Sequence, residues 1–396
     1  MIRVVKVRIY PNRLQEQALS KIFGCTRWLW NHHLDQTNQA YKETGKGLSH
    51  FDMNNRLPKL KKEFEWLSEC YSQTLQQVNV HLSRAFINFF EKRAQYPRFK
   101  SRRDKQSAHY PQYVQIGQGQ IKFPKIGWIK AKIHRLFAGV LKGVTLSMTT
   151  TGKYFASLSF ETHQELPTPS TTGKAVGIDV NLKDFAVTSE GEKVKHPKHL
   201  YKHEKNLKRK QQKLARKQKG SISRDKARQL VAHVHERIAN ARNDFLHKLS
   251  RRLVNENQVI CVEDLAVRNM VKNHCLAKAI SDSGWSTFVS FLQYKCERAG
   301  KTLVKIGRFF PSSKTCHRCL FVMPELPLSI RHWMCPSCKV EQDRDINAAL
   351  NIREEGLRIL LALGTRATAD GGEVRPKRGR KSSVGHSPVK LEACPF

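Results

Sequence analysis

Acidic residues in matching settings are the groups of this chain that could do chemistry. Asp179 ends an apolar run with the composition of a buried strand, and Glu263 ends a second such run. Asp343 and Asp345 both stand at the start of a helix predicted over residues 343–352. Three carboxylates brought to one point by separate elements form a site for two hard divalent cations, Mg²⁺ or Mn²⁺. Such a pair activates water and stabilises the leaving oxygen in phosphodiester hydrolysis.

Four cysteines form the strongest local pattern. Cys316 and Cys319 make one C-x2-C knuckle, and Cys335 and Cys338 make a second one after fifteen intervening residues. Two knuckles supply four thiolates for one tetrahedral, structural Zn²⁺. The alternative is two redox-active cysteine pairs, and two knuckles at this spacing favour zinc over them. The sequence therefore predicts a zinc ribbon over residues 313–340.

The periodicity around the acids predicts the frame that positions them. A β-hairpin over residues 175–188 is followed by a long helical hairpin, a strand that ends at Glu263, a further helix and a strand over 302–306. This order, β-β-helix-β-helix-β, is that of an RNase H-like sheet in an α/β domain. Asp264 is a rival to Glu263, but only the residue that ends the apolar alternation should point as Asp179 does. We expect this domain to span 167–312 and 341–365.

The helical hairpin is predicted over residues 200–250, with its bend at 220–225. Leu200, Leu207 and Leu214 recur every seven residues and form one narrow apolar seam for a partner helix. The other faces of the first helix carry nearly uniform positive charge, which a phosphate backbone explains better than solvation does. The candidate phosphate contacts are Lys205, Lys208, Arg209, Lys213 and Arg216.

The first part of the chain changes its periodicity twice. A strand over residues 1–11 precedes a helical block over 12–95, in which Asn12 is a predicted N-cap. Short alternating strands over 96–166 then predict a small β-barrel or sandwich that includes the first strand. The last segment, 366–396, has the composition of a disordered basic tail.

The net charge indicates the partner. The chain carries a formal charge of +38, from 71 Lys and Arg against 33 Asp and Glu. This excess favours a polyanion, and nucleic acid is the leading candidate. No apolar run of about 18 residues or signal segment is found, so we expect no membrane partner and a location in the prokaryotic cytosol and nucleoid.

Further candidate contacts lie in the first 112 residues. The basic loop over residues 96–105 is predicted to contact phosphates. Gln76 and Gln112 are candidates for reading an adenine edge in a DNA motif, and ordinary exposed side chains are the alternative for both. The remaining candidates in this region are Arg27, Arg98, Lys100, Arg102 and Arg103.

These stretches resemble TnpB, the transposon-encoded OrfB family related to the type V CRISPR effectors. The resemblance follows the order of the chain and covers nearly all of it. It rests on Gly177–Ala186, Val262–Leu265, Ser281–Trp285, the four cysteines and Asp343–Ile352, together with the Tyr10-Pro-Asn and Tyr96-Pro-Arg-Phe-Lys stretches. One departure is Leu320, where family ribbons commonly have Gly after the second Cys.

The resemblance implies an RNA-guided DNA endonuclease with a RuvC-type site, a wedge barrel carrying a helical recognition insert, and a zinc-bearing segment. The family pattern Asp-x-Asn-Ala-Ala selects Asp345 over Asp343, so the implied triad is Asp179, Glu263 and Asp345. Asp343 is then a helix-cap acid or an ion-pair partner. The implied partners are a guide RNA from the transposon end and double-stranded DNA next to a short flanking motif, with a monomer favoured. A guide-free transposase or nuclease and a non-cleaving guided regulator are the alternatives.

Overall fold

The computed structural model describes residues 1–163, 165–327 and 329–369. These residues form two compact units. Unit 1 contains Met1–Pro169, His196–Val254 and Val267–Lys301. Unit 2 contains Ser170–Lys195, Asn255–Ala266 and the described residues from Thr302 on. The helical hairpin therefore groups with unit 1, and the candidate acids and the four cysteines group with unit 2.

Unit 1 contains a seven-stranded antiparallel sheet with the order β2-β6-β7-β1-β5-β4-β3. Val5, Val7 and Ile9 of the central strand β1 are buried, as their alternation with polar residues predicts. The strands are β1 (Ile2–Tyr10), β2 (Gln106–Tyr110), β3 (Gln115–Gly117), β4 (Gln120–Phe123), β5 (Gly127–Lys132), β6 (Val140–Met148) and β7 (Tyr154–Glu161).

The predicted barrel or sandwich differs from this sheet. β1 pairs with β7 over nearly its whole length and with β5 only at Arg8–Tyr10, while β2 and β3 are the edges of the sheet among the described strands. Alternation reports which face of a strand is buried and not which strand lies beside it, so pairing and closure were beyond the reach of the sequence pattern.

Three helices and a short 3₁₀ helix, Glu65–Glu69, pack with this sheet around one core. The predicted cap is confirmed, because the Asn12 side chain accepts a hydrogen bond from the Gln15 amide at 2.9 Å and the Gln15 side chain accepts one from the Asn12 amide at 3.0 Å. The helices are α1 (Arg13–Thr44), α2 (His50–Glu63) and α3 (Ser72–Phe90).

The remaining helices of unit 1 begin with the helical hairpin. Leu207 is buried against Val234 and Ile238, which forms the expected seam. The bend lies at residues 216–221, a few residues earlier than predicted, because the Arg224 guanidinium donates to two carbonyl oxygens at the end of the first helix. The helices are α4 (His199–Ala215), α5 (Ile222–Glu256), α6 (Val267–Met270), α7 (Ala277–Ser283) and α8 (Trp285–Ala299).

Unit 2 is built on a five-stranded sheet with the order β10-β9-β8-β11-β12. β9 runs antiparallel to both β8 and β10, whereas β8, β11 and β12 are parallel. The sequence pattern missed β10, because three residues are too few to show alternation. The strands are β8 (Ala175–Asp179), β9 (Asp184–Thr188), β10 (Lys193–Lys195), β11 (Val259–Glu263) and β12 (Thr302–Ile306).

The ribbon contributes a small hairpin, β13 (His332–Met334) and β14 (Glu341–Asp343), and α9 (Arg344–Ala369) follows directly. Residues 366–369, which were predicted to begin the tail, therefore belong to α9, and residues 370–396 lie outside the described residues. In the part of the chain that the structure describes, no helix is long and apolar enough to cross a membrane.

Helix α9 lies directly against the sheet of unit 2 at two glycines. A Cβ atom at Gly177 of β8 would overlap the Ala349 carbonyl oxygen and lie 2.6 Å from the Arg353 amide nitrogen. A Cβ atom at Gly356 of α9 would overlap Sγ of Cys261 in β11. Both positions thus require glycine because of close approach and not because of backbone conformation.

We expect Gly177→Ala to loosen α9, because the methyl group would meet helix backbone that cannot move aside. Such overpacking costs about 1–3 kcal/mol. Hydrogen exchange should show faster exchange of the α9 amides in the variant. Gly24→Ala in α1 is the matched control, because a Cβ atom there meets nothing within 4 Å. Equal protection of α9 in both variants would contradict the close-packing argument.

Candidate functional site

The structure brings Asp179, Glu263 and Asp345 to one edge of the unit 2 sheet. Asp179 ends β8 and Glu263 ends β11, and these strands are neighbours in a parallel register that pairs Val262 with Ile178. Parallel strands in register end at the same edge. Asp345 is the second residue of α9, the helix that packs on β8. The fold therefore assembles the three carboxylates that the sequence pattern singled out.

Burial and mutual repulsion both act on these acids. Burial, followed by the negative charges of Glu263 and Asp345, raises the pKa of Asp179 to about 7. Burial also raises the pKa of Glu263, although the Ser312 hydroxyl donates to its Oε1 at 2.6 Å and acts in the opposite direction. Buried carboxylates with a raised pKa, such as those of Asp179 and Glu263, are typical of functional sites.

The structure separates the roles of Asp343 and Asp345. Asp343 accepts hydrogen bonds from the amides of Asp345 at 3.0 Å and Ile346 at 3.1 Å, so it caps α9, and Lys193 Nζ lies 2.6 Å from its Oδ2. Burial opposes ionisation of Asp343, but these contacts outweigh it and lower the pKa of Asp343. Asp343 is thus the cap and ion-pair partner that the sequence analysis kept as its alternative role.

Two further acids form ion pairs with arginines, Asp345 with Arg331 and Asp264 with Arg308. Nη1 of Arg331 lies 3.0 Å from Oδ1 and 3.4 Å from Oδ2 of Asp345, so a cation from the ribbon neutralises this carboxylate. Nη2 of Arg308 lies 2.8 Å from Oδ2 of Asp264, the exposed rival of Glu263. The ion pair of Asp345 is inside the acidic group, whereas that of Asp264 is at the surface, which supports Glu263 as the inward residue.

The two candidate metal sites differ in how completely they are formed. Among the described residues, the four cysteines are the only group of three or more His, Cys, Asp or Glu side chains whose ligand atoms converge, all within 4.8 Å of one another. The carboxylates of Asp179, Glu263 and Asp345 interact electrostatically but do not converge to this degree. Asp345 instead forms an ion pair with the Arg331 guanidinium.

The cysteine geometry fits zinc. Sγ of Cys316 lies 3.7 Å from Sγ of Cys338, and Sγ of Cys319 lies 3.5 Å from Sγ of Cys335. These separations exceed a disulfide bond. They match the sulfur–sulfur edge of roughly 3.8 Å that a tetrahedron with Zn–S bonds of about 2.3 Å requires. The four thiols are therefore arranged so that they could hold one metal ion, and their spacing fits tetrahedral Zn²⁺.

Each cysteine knuckle ends on a residue with left-handed backbone. Leu320 has φ 61° directly after Cys319, and Lys339 has φ 57° directly after Cys338. Residues other than glycine pay about 1–2 kcal/mol for this conformation. The departure noted at Leu320 thus leaves the knuckle turn in place but strained.

Asn347 and Asn351 connect the ribbon to α9, and sequence reasoning missed their role. The Asn351 amide donates to the carbonyl oxygens of Ser312 at 2.7 Å and Thr315 at 2.6 Å, and the Asn347 amide donates to Thr315 at 2.7 Å. The His317 amide donates back to Asn347. The signal that could have found them is a pair of amides four residues apart, which places both on one face of the helix.

The predicted nucleic-acid contacts all lie in unit 1. Those of the hairpin are exposed on α4 or, for Arg216, just after it. The loop candidates Arg98, Lys100, Arg102 and Arg103 are exposed as well, while Nη1 of Arg27 donates to Gln106 at 2.9 Å. Gln76 and Gln112 are exposed, and Gln112 accepts a hydrogen bond from Gln73 at 3.4 Å. Their binding roles stay predictions.

Three family models match the chain. Residues 157–274 match the OrfB_IS605 model described as "Probable transposase", and residues 285–352 match the TNB domain of Cas12f1-like proteins. Residues 1–46 match a helix-turn-helix model of the same OrfB family. In the structure this last segment forms strand β1 and one long helix, α1.

Whole-chain relatives extend the match. A Streptomyces pristinaespiralis protein named "Putative RNA-guided DNA endonuclease" is 42% identical over 98% of this chain and 96% of its own length. InsQ of Escherichia coli strain K12, which bears the same description, is 31% identical over 91% of this chain and 93% of its own length. A Cas12f1 chain from a complex with sgRNA and target DNA superposes with a TM-score of 0.53 at 11% identity, covering 89% of this chain and 98% of that one.

The class follows from the architecture, which is a Cas12f-like fold with helices, sheets and a four-cysteine group able to hold a metal. Within this class, the identity and coverage of the whole-chain relatives decide the family. The chain belongs to the OrfB family of TnpB-like proteins, whose curated relatives are described as RNA-guided DNA endonucleases.

Asp179→Asn should stabilise the metal-free protein above pH 7. The pKa of Asp179 is raised in the folded state, so the wild type loses stability as pH rises from about 4 through 7, while the Asn variant is spared this loss. We expect the variant to melt at least about 3 °C higher at pH 8 in EDTA, with little difference at pH 5. Asp264→Asn is the control, because Asp264 is exposed. If Asp179→Asn raised the melting temperature equally at pH 5 and pH 8, the raised pKa of Asp179 would be refuted.

Leu320→Gly should strengthen the ribbon, because glycine removes the cost of the left-handed backbone. We expect release of zinc to a chelator to slow by roughly fivefold, which corresponds to about 1 kcal/mol. A zinc-sensitive dye measures this rate. Leu320→Ala shortens the side chain but keeps the strain, so equal rates for the Gly and Ala variants would argue against the backbone explanation.

Proposed function

We propose that the chain is a transposon-encoded, RNA-guided DNA endonuclease that depends on divalent metal ions. The observation that carries this proposal is that Asp179 and Glu263 end neighbouring parallel strands and that Asp345 lies within electrostatic range of Asp179. Burial, followed by the negative charges of Glu263 and Asp345, raises the pKa of Asp179 to about 7. The names of the whole-chain relatives support the choice of DNA as substrate and of RNA as guide.

The strand order supports a RuvC-type domain. Three consecutive strands pair antiparallel and two further strands add in parallel beside the first, which is the arrangement expected of an RNase H-like sheet. We assign this domain to residues 167–312 and 341–365, with the ribbon at 313–340. We further assign residues 1–11 and 96–166 to a wedge domain built on the open sheet of unit 1, and 12–95 to its recognition insert.

Each acidic residue has a distinct part in the proposed site. Asp179, Glu263 and Asp345 would hold two Mg²⁺ or Mn²⁺ ions, which supply an activated water and stabilise the leaving oxygen. Ser312 orients Glu263 through its hydrogen bond. Arg331 balances the charge of Asp345 in the metal-free state. Cys316, Cys319, Cys335 and Cys338 hold the structural Zn²⁺.

The basic surface would serve the nucleic acids. In this proposal the guide RNA comes from the transposon end and pairs with the target strand, and the protein holds the heteroduplex by its backbone. The exposed cations of α4 and of loop 96–105 contact phosphates, while Gln76 and Gln112 read the flanking motif. The protein would act as a monomer in the prokaryotic cytoplasm.

Asp179→Ala, Glu263→Ala and Asp345→Ala should each abolish cleavage while guide and DNA binding persist. A loss of about a thousandfold corresponds to the removal of roughly 4 kcal/mol of transition-state stabilisation. Cleavage of a guided plasmid in Mg²⁺ and a binding assay measure the two effects. Asp343→Asn is the matched control and should be milder than Asp345→Asn, because Asp343 caps α9.

The same preparation separates the alternatives. RNA that copurifies with the protein, and that is required for cutting, excludes a guide-free transposase or nuclease. Guided binding without cleavage in Mg²⁺ or Mn²⁺ would instead favour a non-cleaving regulator and overturn the endonuclease proposal. Undiminished cutting by any of the three Ala variants would remove that residue from the site.

A further inference from the structure

Unit 1 contains a cleft that is open to solvent. Its walls come from α1, α3, β2, β6 and the loop 98–105. Three of the described lining residues are cations and none of them is an acid. Concave walls that carry one sign of charge focus the field and attract anions. The lining residues that the argument uses are Arg27, Lys100, Lys105, His81, His109 and Thr74.

The loop that supplies two of these cations is held in place before any ligand arrives. Nε1 of Trp30 donates to the Arg98 carbonyl at 3.1 Å. The Asn31 side chain makes two hydrogen bonds with the backbone of Lys100, at 2.9 and 2.7 Å. The side-chain amide of Gln106 donates to carbonyl oxygens of the loop. The shortest of these hydrogen bonds is 2.8 Å, to the Asp104 carbonyl. Such preorganisation lowers the entropic cost of binding.

The cations of the cleft lack an anionic partner inside it. Nζ of Lys100 lies 3.6 Å from the centre of the Trp30 ring. Although Lys100 is exposed overall, its ammonium lies inside the concave wall, and desolvation lowers its pKa to about 8. The nearby Asp104 carboxylate accepts a hydrogen bond from the Ser101 amide within its own loop. An incoming phosphate would find positive charge that is only weakly compensated.

Uncharged groups line the rest of the cleft. The rings of His81 and His109 lie 5.8 Å apart, and desolvation lowers the pKa of both, that of His81 to about 4. Both rings are therefore neutral at pH 7. Nδ1 of His109 already lies 3.0 Å from Oγ1 of Thr145, so His81 offers one donor and one acceptor, whereas His109 offers Nε2 alone. The Thr74 hydroxyl is buried without a hydrogen-bond partner among the described residues. Groups of this kind suit the edge of a base or a ribose better than a bare phosphate.

We propose that this cleft binds one unstacked nucleotide of the nucleic-acid partner, with its phosphate on Arg27, Lys100 and Lys105 and its base beside His81 and His109. The inference rests on the proposed function only for the source of the nucleotide, because the recognition chemistry is complete in unit 1.

The test measures binding of adenosine 5′-monophosphate to the full chain by calorimetry, with adenosine as the comparison. We expect saturable binding of the monophosphate and at least tenfold weaker binding of adenosine, because charged hydrogen bonds to phosphate would be lost. Lys100→Gln and Lys105→Gln should each weaken binding of the monophosphate by roughly tenfold. Lys59→Gln is the matched control, since Lys59 is exposed on α2 and outside the cleft. Equal affinity in all three variants, or no saturable binding, would overturn the proposal.

His81→Ala separates nucleotide binding from phosphate binding alone. The substitution should weaken binding of the monophosphate severalfold and leave binding of inorganic phosphate unchanged. Equal effects on both affinities would overturn the base contact. Guide RNA or target DNA should displace the monophosphate and so identify the source, and displacement by neither would overturn the assignment to nucleic acid.

A cleavage-dead Asp179→Ala chain keeps the two proposals apart. It should bind the monophosphate with wild-type affinity, because Asp179 lies in unit 2. Intact nucleotide binding in a wild-type chain that never cleaves would overturn the endonuclease proposal alone. Guided cleavage without nucleotide binding would overturn the cleft proposal alone.

Discussion

The close contact between α9 and the sheet of unit 2 is the constraint on which the candidate site depends. Gly177 and Gly356 remove the side chains that would hold helix and sheet apart. The first turn of α9 then brings Asp345 within electrostatic range of Asp179. The acids are therefore placed by packing as much as by chain order.

Placing three carboxylates together creates a tension that the ribbon relieves in part. Buried like charges raise the pKa of Asp179, and the neighbouring polar groups come from the ribbon and the segment that leads to it. Ser312 donates to Glu263, Arg331 pairs with Asp345, and Asn351 ties the Ser312 carbonyl to α9. The ribbon that carries the four cysteines thus has a structural role beyond its own fold. Ser312, just before the ribbon, and Arg331, within it, both contact the acids.

The sequence was informative wherever a residue type has a narrow chemical use. Four thiols in two knuckles predict a zinc site, and the structure brings them within 4.8 Å of one another. Acids that end apolar runs predict a shared sheet edge, and β8 and β11 are neighbours in parallel register. The Asn12 cap could be read directly, because capping depends on residues only three positions apart. Local chemistry of this kind depends on residues that are close together in the sequence, so the sequence alone predicts it.

Only the tertiary structure decided the long-range relations. β10 was too short to be seen, the strands of unit 1 form one open sheet where a small barrel or sandwich was expected, and α4 ended before its predicted bend. The pairing of Arg331 with Asp345, the amide links of Asn347 and Asn351, and the cationic cleft of unit 1 join residues far apart in the chain. Composition and charge by themselves predict a polyanionic partner. Which cations face a cleft and which acids meet depends on packing, because hydrophobic periodicity encodes the buried face of an element but not its neighbour.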